Sequence, residues 1–147
     1  YRVQANLSYF QRGVLVRYIR ILANVSFETR NGWTRTEQAI IDTGCPISII
    51  PRRIWEEVRY GLYPNAEVEI SLGGRPAVGR FGQVTLRIHD AEDGERISPP
   101  VAIKADLLSD DTFPMILGFE DFLTDVALYS NFSTQEAYLA FPPFSPE

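Results

Sequence analysis

Apolar and polar positions alternate through most of this chain, and a period of two outweighs the period of 3.6 that helices impose. Residues 14–27 set Val14, Val16, Tyr18, Ile19 and Ile21 against Arg17 and Arg20, as a long or bent strand does. Asn31-Gly32 follows as a hairpin-turn signal. Residues 36–42 and 47–50 read as strands on either side of a short break. Pro51 then opens 52–60, where Ile54, Trp55 and Val58 fall at helical spacing, and Gly61 ends it. Residues 66–72 alternate again, reach Gly73-Gly74-Arg75-Pro76, and return as a strand over 78–88. A polar turn at 91–95, a strand over 97–105, a polar loop over 106–112, an apolar Met115-Ile116-Leu117-Gly118 strand, a second short helix over 120–126 and a last strand at 138–141 complete the pattern. The expectation is an all-β closed sheet or barrel with two short helices, built as one domain over 1–147.

Composition narrows the chemistry. The chain has 147 residues, 45% apolar and 22% charged, which is enough to bury a single core. Its formal charge of −5, with no basic cluster, argues against nucleic acid as a partner. No apolar run approaches the roughly 20 residues of a membrane-spanning helix. The chain opens on Tyr1 rather than Met, which suggests a processed or excised segment. A cytoplasmic setting is expected for the segment itself, with room for a signal or anchor upstream. Cys45 is the single cysteine and His89 the single histidine, so a Cys- or His-rich metal site is not expected. A Ser-His-Asp or Cys-His triad would have to use His89, which reads as an exposed histidine at a strand end. Cys45 reads as a small packing residue, and carboxylate chemistry is what remains.

Asp42-Thr43-Gly44 is where that chemistry would sit. The motif interrupts two strongly β-forming runs, Ala39-Ile40-Ile41 before it and Ile47-Ser48-Ile49-Ile50 after it. A carboxylate there is costly unless something satisfies it. Taken alone, the three residues also fit an ordinary turn, and Gly73-Gly74 also fits an ordinary hairpin. Their order along the chain is the stronger signal: an Asp-Thr-Gly loop, a short helix, a hairpin with a Gly-Gly tip, an apolar-apolar-Gly strand, then another short helix.

That order resembles the retropepsin-like aspartic proteases over most of the chain, from about Val14 to Phe141. Asp42-Thr43-Gly44 matches the family's catalytic motif. Ser48 falls where the family braces the loop with Thr or Ser, and Ile116-Leu117-Gly118 matches the second part of the loop system, with Gly118 bracing beside Ser48. Leu72, Gly73, Gly74 and Arg75 take the place of the flap that closes over substrate. Glu120-Asp121-Phe122-Leu123 resembles the helix start of non-viral, bacterial members. Viral members often pair an acidic residue two positions after the motif with an Arg after the second glycine. Here those positions are Pro46 and Phe119, so the ion pair is missing as a unit.

The resemblance implies an acid-protease fold and an aspartic endopeptidase that needs no cofactor or metal. Two carboxylates held about 3 Å apart share one proton, so one acts on water as base and the other on the leaving amine as acid. Gly44 would allow a tight turn and offer its amide to the carboxylate. The chain holds one such Asp, so a homodimer acting on peptide or protein substrates is expected, with terminal strands near 1–10 and 138–141 interleaving across the two-fold axis. The alternative is a catalytically silent dimerisation or peptide-binding module with the same fold.

Overall fold

The computed structural model describes residues 1–11, 13 and 15–144. Val14 and the end of the Pro-rich tail, expected as a strand start and as tail, lie outside the described residues.

Eleven strands and two short helical segments make up the described chain. The strands are β1 (Arg2–Gln11), β2 (Leu15–Thr29), β3 (Gly32–Trp33), β4 (Glu37–Ile41), β5 (Ser48–Ile50), β6 (Gly61–Leu72), β7 (Arg75–His89), β8 (Val101–Leu108), β9 (Ile116–Leu117), β10 (Ala127–Asn131) and β11 (Glu136–Ala140). Helix α1 is Arg52–Trp55, and a wide helical turn covers Phe119–Leu123. All strands belong to one sheet in the order β10-β11-β1-β2-β4-β9-β5-β8-β7-β6, with β3 on β2. β2 also pairs with β7, Asn24 facing His89 and Phe27 facing Leu86, so hydrogen bonding runs from β2 through β4, β9, β5, β8 and β7 back to β2. The main buried cluster draws on these strands. Val25, Phe27, Leu86, Ile88, Ile103 and Leu117 are fully buried there, as residues of strands that turn one face inward must be, and Phe122 of the helical turn joins them.

The β2–β7 junction is fastened by side chains. Ser26 Oγ lies 2.7 Å from His89 Nε2 and accepts from Arg87 Nε at 3.1 Å, while His89 Nδ1 lies 3.3 Å from the Gly94 carbonyl. Arg87 also stacks 4.1 Å above the Trp33 ring. His89 is thus the strand-end residue expected, at the end of β7, but half-buried and bonded at both nitrogens rather than exposed. The contact has the form of a nucleophile and base, but Ser26 is 0% exposed and no substrate reaches it.

Several boundaries differ from the sequence expectation. The first helix stops at Trp55 rather than Tyr60, because the Arg59 amide is captured by the Glu28 carbonyl of β2 and the chain turns into β6. Gly61 accordingly starts a strand instead of ending a helix. The strand expected over 97–105 begins only at Val101, since Pro99 and Pro100 have no N–H to give a ladder. It then continues to Leu108, through residues that read as polar loop. The second helical segment ends at Leu123, not Val126: Glu120 is extended and Asp121 adopts φ 62, and β10 follows where no strand was expected.

The termini differ most. β11 lies between β10 and β1 of its own chain, with Arg2 opposite Tyr138 and Leu128 opposite Leu139. The Tyr1 ammonium donates to the Leu139 carbonyl at 2.8 Å, and the Leu139 amide donates back to Tyr1 at 2.8 Å. The strands expected to interleave with a second subunit are paired with each other.

Candidate functional site

Strand β9 is the keystone of the site. It lies parallel to β4, with Ile41 opposite Leu117, and antiparallel to β5, with Ile49 opposite Ile116. The loop over residues 42–47 joins the two strands that flank it, so Asp42 emerges where β4 ends beside Gly118. The Asp42 amide donates to the Leu117 carbonyl at 3.0 Å, and the Asp42 carbonyl accepts from the Cys45 amide at 3.2 Å. The Asp42 side chain is therefore not part of the sheet's bonding. It stands exposed, as do Thr43 and Gly44, and Asp42 Oδ1 accepts from the Gly44 amide at 2.9 Å.

Gly44 sits inside the turn that the Cys45 amide closes on the Asp42 carbonyl, and it does so without a left-handed φ. A Cβ there would lie 3.3 Å from Asp42 Oδ1. The glycine keeps that approach open for its amide.

Gly118 and Ser48 meet as the bracing pair. Ser48 is 0% exposed, and its Oγ accepts from the Gly118 amide at 2.9 Å. Past Gly118 the chain runs against the Asp42 loop, Phe119 donating to the Cys45 carbonyl at 2.8 Å and Glu120 to that of Pro46 at 2.9 Å. A Ser48→Ala chain leaves the buried Gly118 amide without its acceptor, so a loss of about 1–3 kcal/mol is expected. Urea unfolding checks this: the midpoint should fall with an unchanged slope.

Lys104 fastens the other side of this crossing. Its amide donates to Asp121 Oδ2 at 2.8 Å and its ammonium to Oδ1 at 3.0 Å, with Glu120 Oε1 3.6 Å away. Burial works against the Asp121 charge, but the Lys104 amide and ammonium outweigh it and hold the carboxyl below its usual range. Sequence reading misses this lock. Lys104 being the single lysine is the available signal, but Asp121 lies 17 positions away.

A second apolar cluster sits behind the loop. Cys45, Ile49, Ala77, Leu108, Phe113 and Ile116 are buried together, with Ile70 and Leu72 packed on them. The β6–β7 hairpin supplies Ile70, Leu72 and Ala77, so its end lies over the Cys45 side of the loop. Gly73 and Gly74 form the two-residue turn at φ 57 and 78, values that favour glycine, and with Arg75 they stand exposed. Leu72 is thus joined to the site by packing, while Gly73, Gly74 and Arg75 stand outside this contact. The Cys45 thiol donates to the Ile47 carbonyl at 3.1 Å, and burial, then the Asp42 charge, push its pKa up. It is a packed thiol, not a thiolate.

Asp106 falls in the stretch expected as loop but lies on β8, opposite Ile49 and Phe81, and is 7% exposed. Burial raises its carboxyl above the usual 3.8. The folded state then binds this proton more tightly than the unfolded one, so the contribution to stability is most favourable below 3.8 and is lost as pH rises through the raised folded value. Asp106→Asn should therefore raise the melting temperature at pH 7, and the gain should shrink toward zero in acid. Thermal scans at the two pH values read it directly.

A cleft of about 960 Å³ opens elsewhere, between α1, β6, β7 and β8, lined by Arg52, Trp55, Glu67, Val78, Arg80 and Ser109. It contains none of the expected site residues. Among the described residues no helix is long and apolar enough to cross a membrane. No family model matches the chain, and no curated protein matches it.

Proposed function

We propose that this chain is one half of an aspartic endopeptidase of the retropepsin-like kind, with Asp42 as the catalytic carboxylate. The observation that carries the reading is the exposed Asp42 at the end of β4, on a loop fixed by the Ser48–Gly118 bond and by the Cys45 and Pro46 carbonyls. The circuit of strand pairings supports reading the mostly-β fold as a closed acid-protease barrel. Asp42 is available to face the same residue of a second copy, and the two carboxylates would share one proton. One takes a proton from water as it attacks the peptide carbonyl, and the other delivers a proton to the departing amine. Thr43, exposed beside Asp42, would bond across the axis. The hairpin carrying Leu72, Gly73, Gly74 and Arg75 would lift from the cluster around Cys45 and Ile49 to admit an extended peptide, then exclude water over it. Apolar residues beside the scissile bond fit that cluster.

A second reading is a dimerisation or peptide-binding module without hydrolysis, and the in-chain pairing of β11 with β1, which occupies the terminal strands, favours its peptide-binding form. A peptide-library digest between about pH 3 and pH 7 separates them. Cleavage by a dimer verified in solution is the expected result, and none at any pH would sink the protease reading.

A further inference from the structure

The strand register leaves one part of the fold standing apart. β1 and β2 pair from Gln4 and Leu22 out to Gln11 and Leu15. β4 reaches β2 only as far as Ile21, and β11 reaches β1 only at Arg2 to Gln4. Beyond Ala5 and Ile21, among the described residues, the two strands pair with each other alone and form a two-stranded arm. Ile41 faces Ile21, so the Asp42 loop turns back at the level of the next β2 residue. Residues 15–19 of β2 continue past it, roughly 16 Å at about 3.3 Å per residue. The turn between β10 and β11 stands at the same end, because Glu136 faces Gln4. Leu7, Arg17, Ile19, Phe132, Ser133 and Gln135 line a groove of about 610 Å³ between arm and turn.

We propose that this arm is the contact that builds the dimer: each copy lays its arm past the Asp42 loop and into the groove beside its partner's arm. The inference rests on the two-carboxylate reading, which requires a second copy at this end of the molecule. Physical chemistry asks for the same occupant. A two-stranded ribbon alone is marginal in water, and this one sets Leu7 and Ile19 along the groove. A strand edge without a neighbour is a template for another chain, and β2 presents such an edge along 15–19. The terminal strand β11, the other expected source of dimer contacts, has both edges taken within its own chain.

The test uses Arg17→Glu, an exposed position, and Ile19→Lys, each compared with the unaltered chain by sedimentation, thermal unfolding and peptide digestion. Hydrogen exchange of the unaltered chain is followed across its dimerisation range. Expected are a dimer dissociation constant raised about 30-fold or more, a thermal transition for Arg17→Glu equal to that of the unaltered chain diluted to monomer, a parallel loss of cleavage, and concentration-dependent protection at 15–19. Variants that dimerise normally, with new protection on β10 instead, overturn the arm and leave the Asp42 reading intact. Variants that keep the dimer and lose only peptide binding also overturn it, making the groove a substrate contact. An arm-dependent dimer that cuts nothing keeps the arm and defeats the protease reading.

Discussion

If Asp42 works as proposed, Asp42→Asn is expected to reduce peptide hydrolysis by roughly a thousandfold or more, since it would remove both of the paired carboxylates that take a proton from water and give one to the amine. The substitution suits the test because the local structure does not depend on the charge. Asp42 is exposed, and its backbone makes the bonds that fix the loop, to Leu117 and from Cys45. Asparagine keeps an Oδ1 to accept from the Gly44 amide. Fold and oligomeric state should therefore match the unaltered chain by circular dichroism and sedimentation. Retained hydrolysis in that variant would show that some other group does the work. Mixed dimers extend the argument: if one proton is shared by a pair, a subunit carrying Asp42→Asn should silence the unaltered partner it binds.

Within the site, Gly118→Ala is expected to cost the most stability. A Cβ at this position would lie 2.4 Å from the Cys45 carbonyl oxygen and 3.1 Å from the Ile47 carbonyl carbon. Both are backbone atoms, and both belong to the loop that carries Asp42, so no side-chain rotation relieves the clash. Overpacking of this kind costs about 3 kcal/mol, which for a chain of this size lowers the melting temperature by roughly 10 °C. Hydrolysis should fall further than stability alone accounts for, because the displaced atoms include the carbonyl that accepts from Phe119. Gly44→Ala is the useful contrast: its nearest contact is 3.3 Å, to the Asp42 carboxylate rather than to backbone. A stable Gly118→Ala chain with normal thermal behaviour would refute the close-packed crossing.

The parts of this molecule that are legible in its sequence are those set by neighbours along the chain. Gly73-Gly74 fixes a two-residue turn by backbone conformation alone, and the strands on either side take their register from it. Asp42-Thr43-Gly44 and Ile116-Leu117-Gly118 are legible as an ordered pair, because a charge and a glycine inside apolar β runs are unusual. Ser48 can be placed with Gly118 only through the resemblance. What cannot be read is what distant residues decide. The first helix ends where Glu28 captures Arg59, and nothing within 52–60 announces that. Asp106 looks like the start of a polar loop because its carboxylate is polar, while its position on β8 is imposed by Ile49 and Phe81. Ala127–Asn131 forms a strand against β11 despite a polar, exposed second half. The pairing of β11 with β1 is likewise a choice among partners, not a property of either segment.

Among the described residues strand β2 bonds to β1, β3, β4 and β7, and the last of these has a kinetic consequence. Ser26 and His89, which close the circuit, are 63 positions apart. Local hairpins such as β6–β7 can form early, at little entropic cost. Joining β7 to β2 must wait until an open chain of that length brings its ends together. Non-local pairings of this kind place a protein among slow folders. Until the junction forms, the Leu86–His89 edge of β7 stands unpaired with β2 and open to other chains.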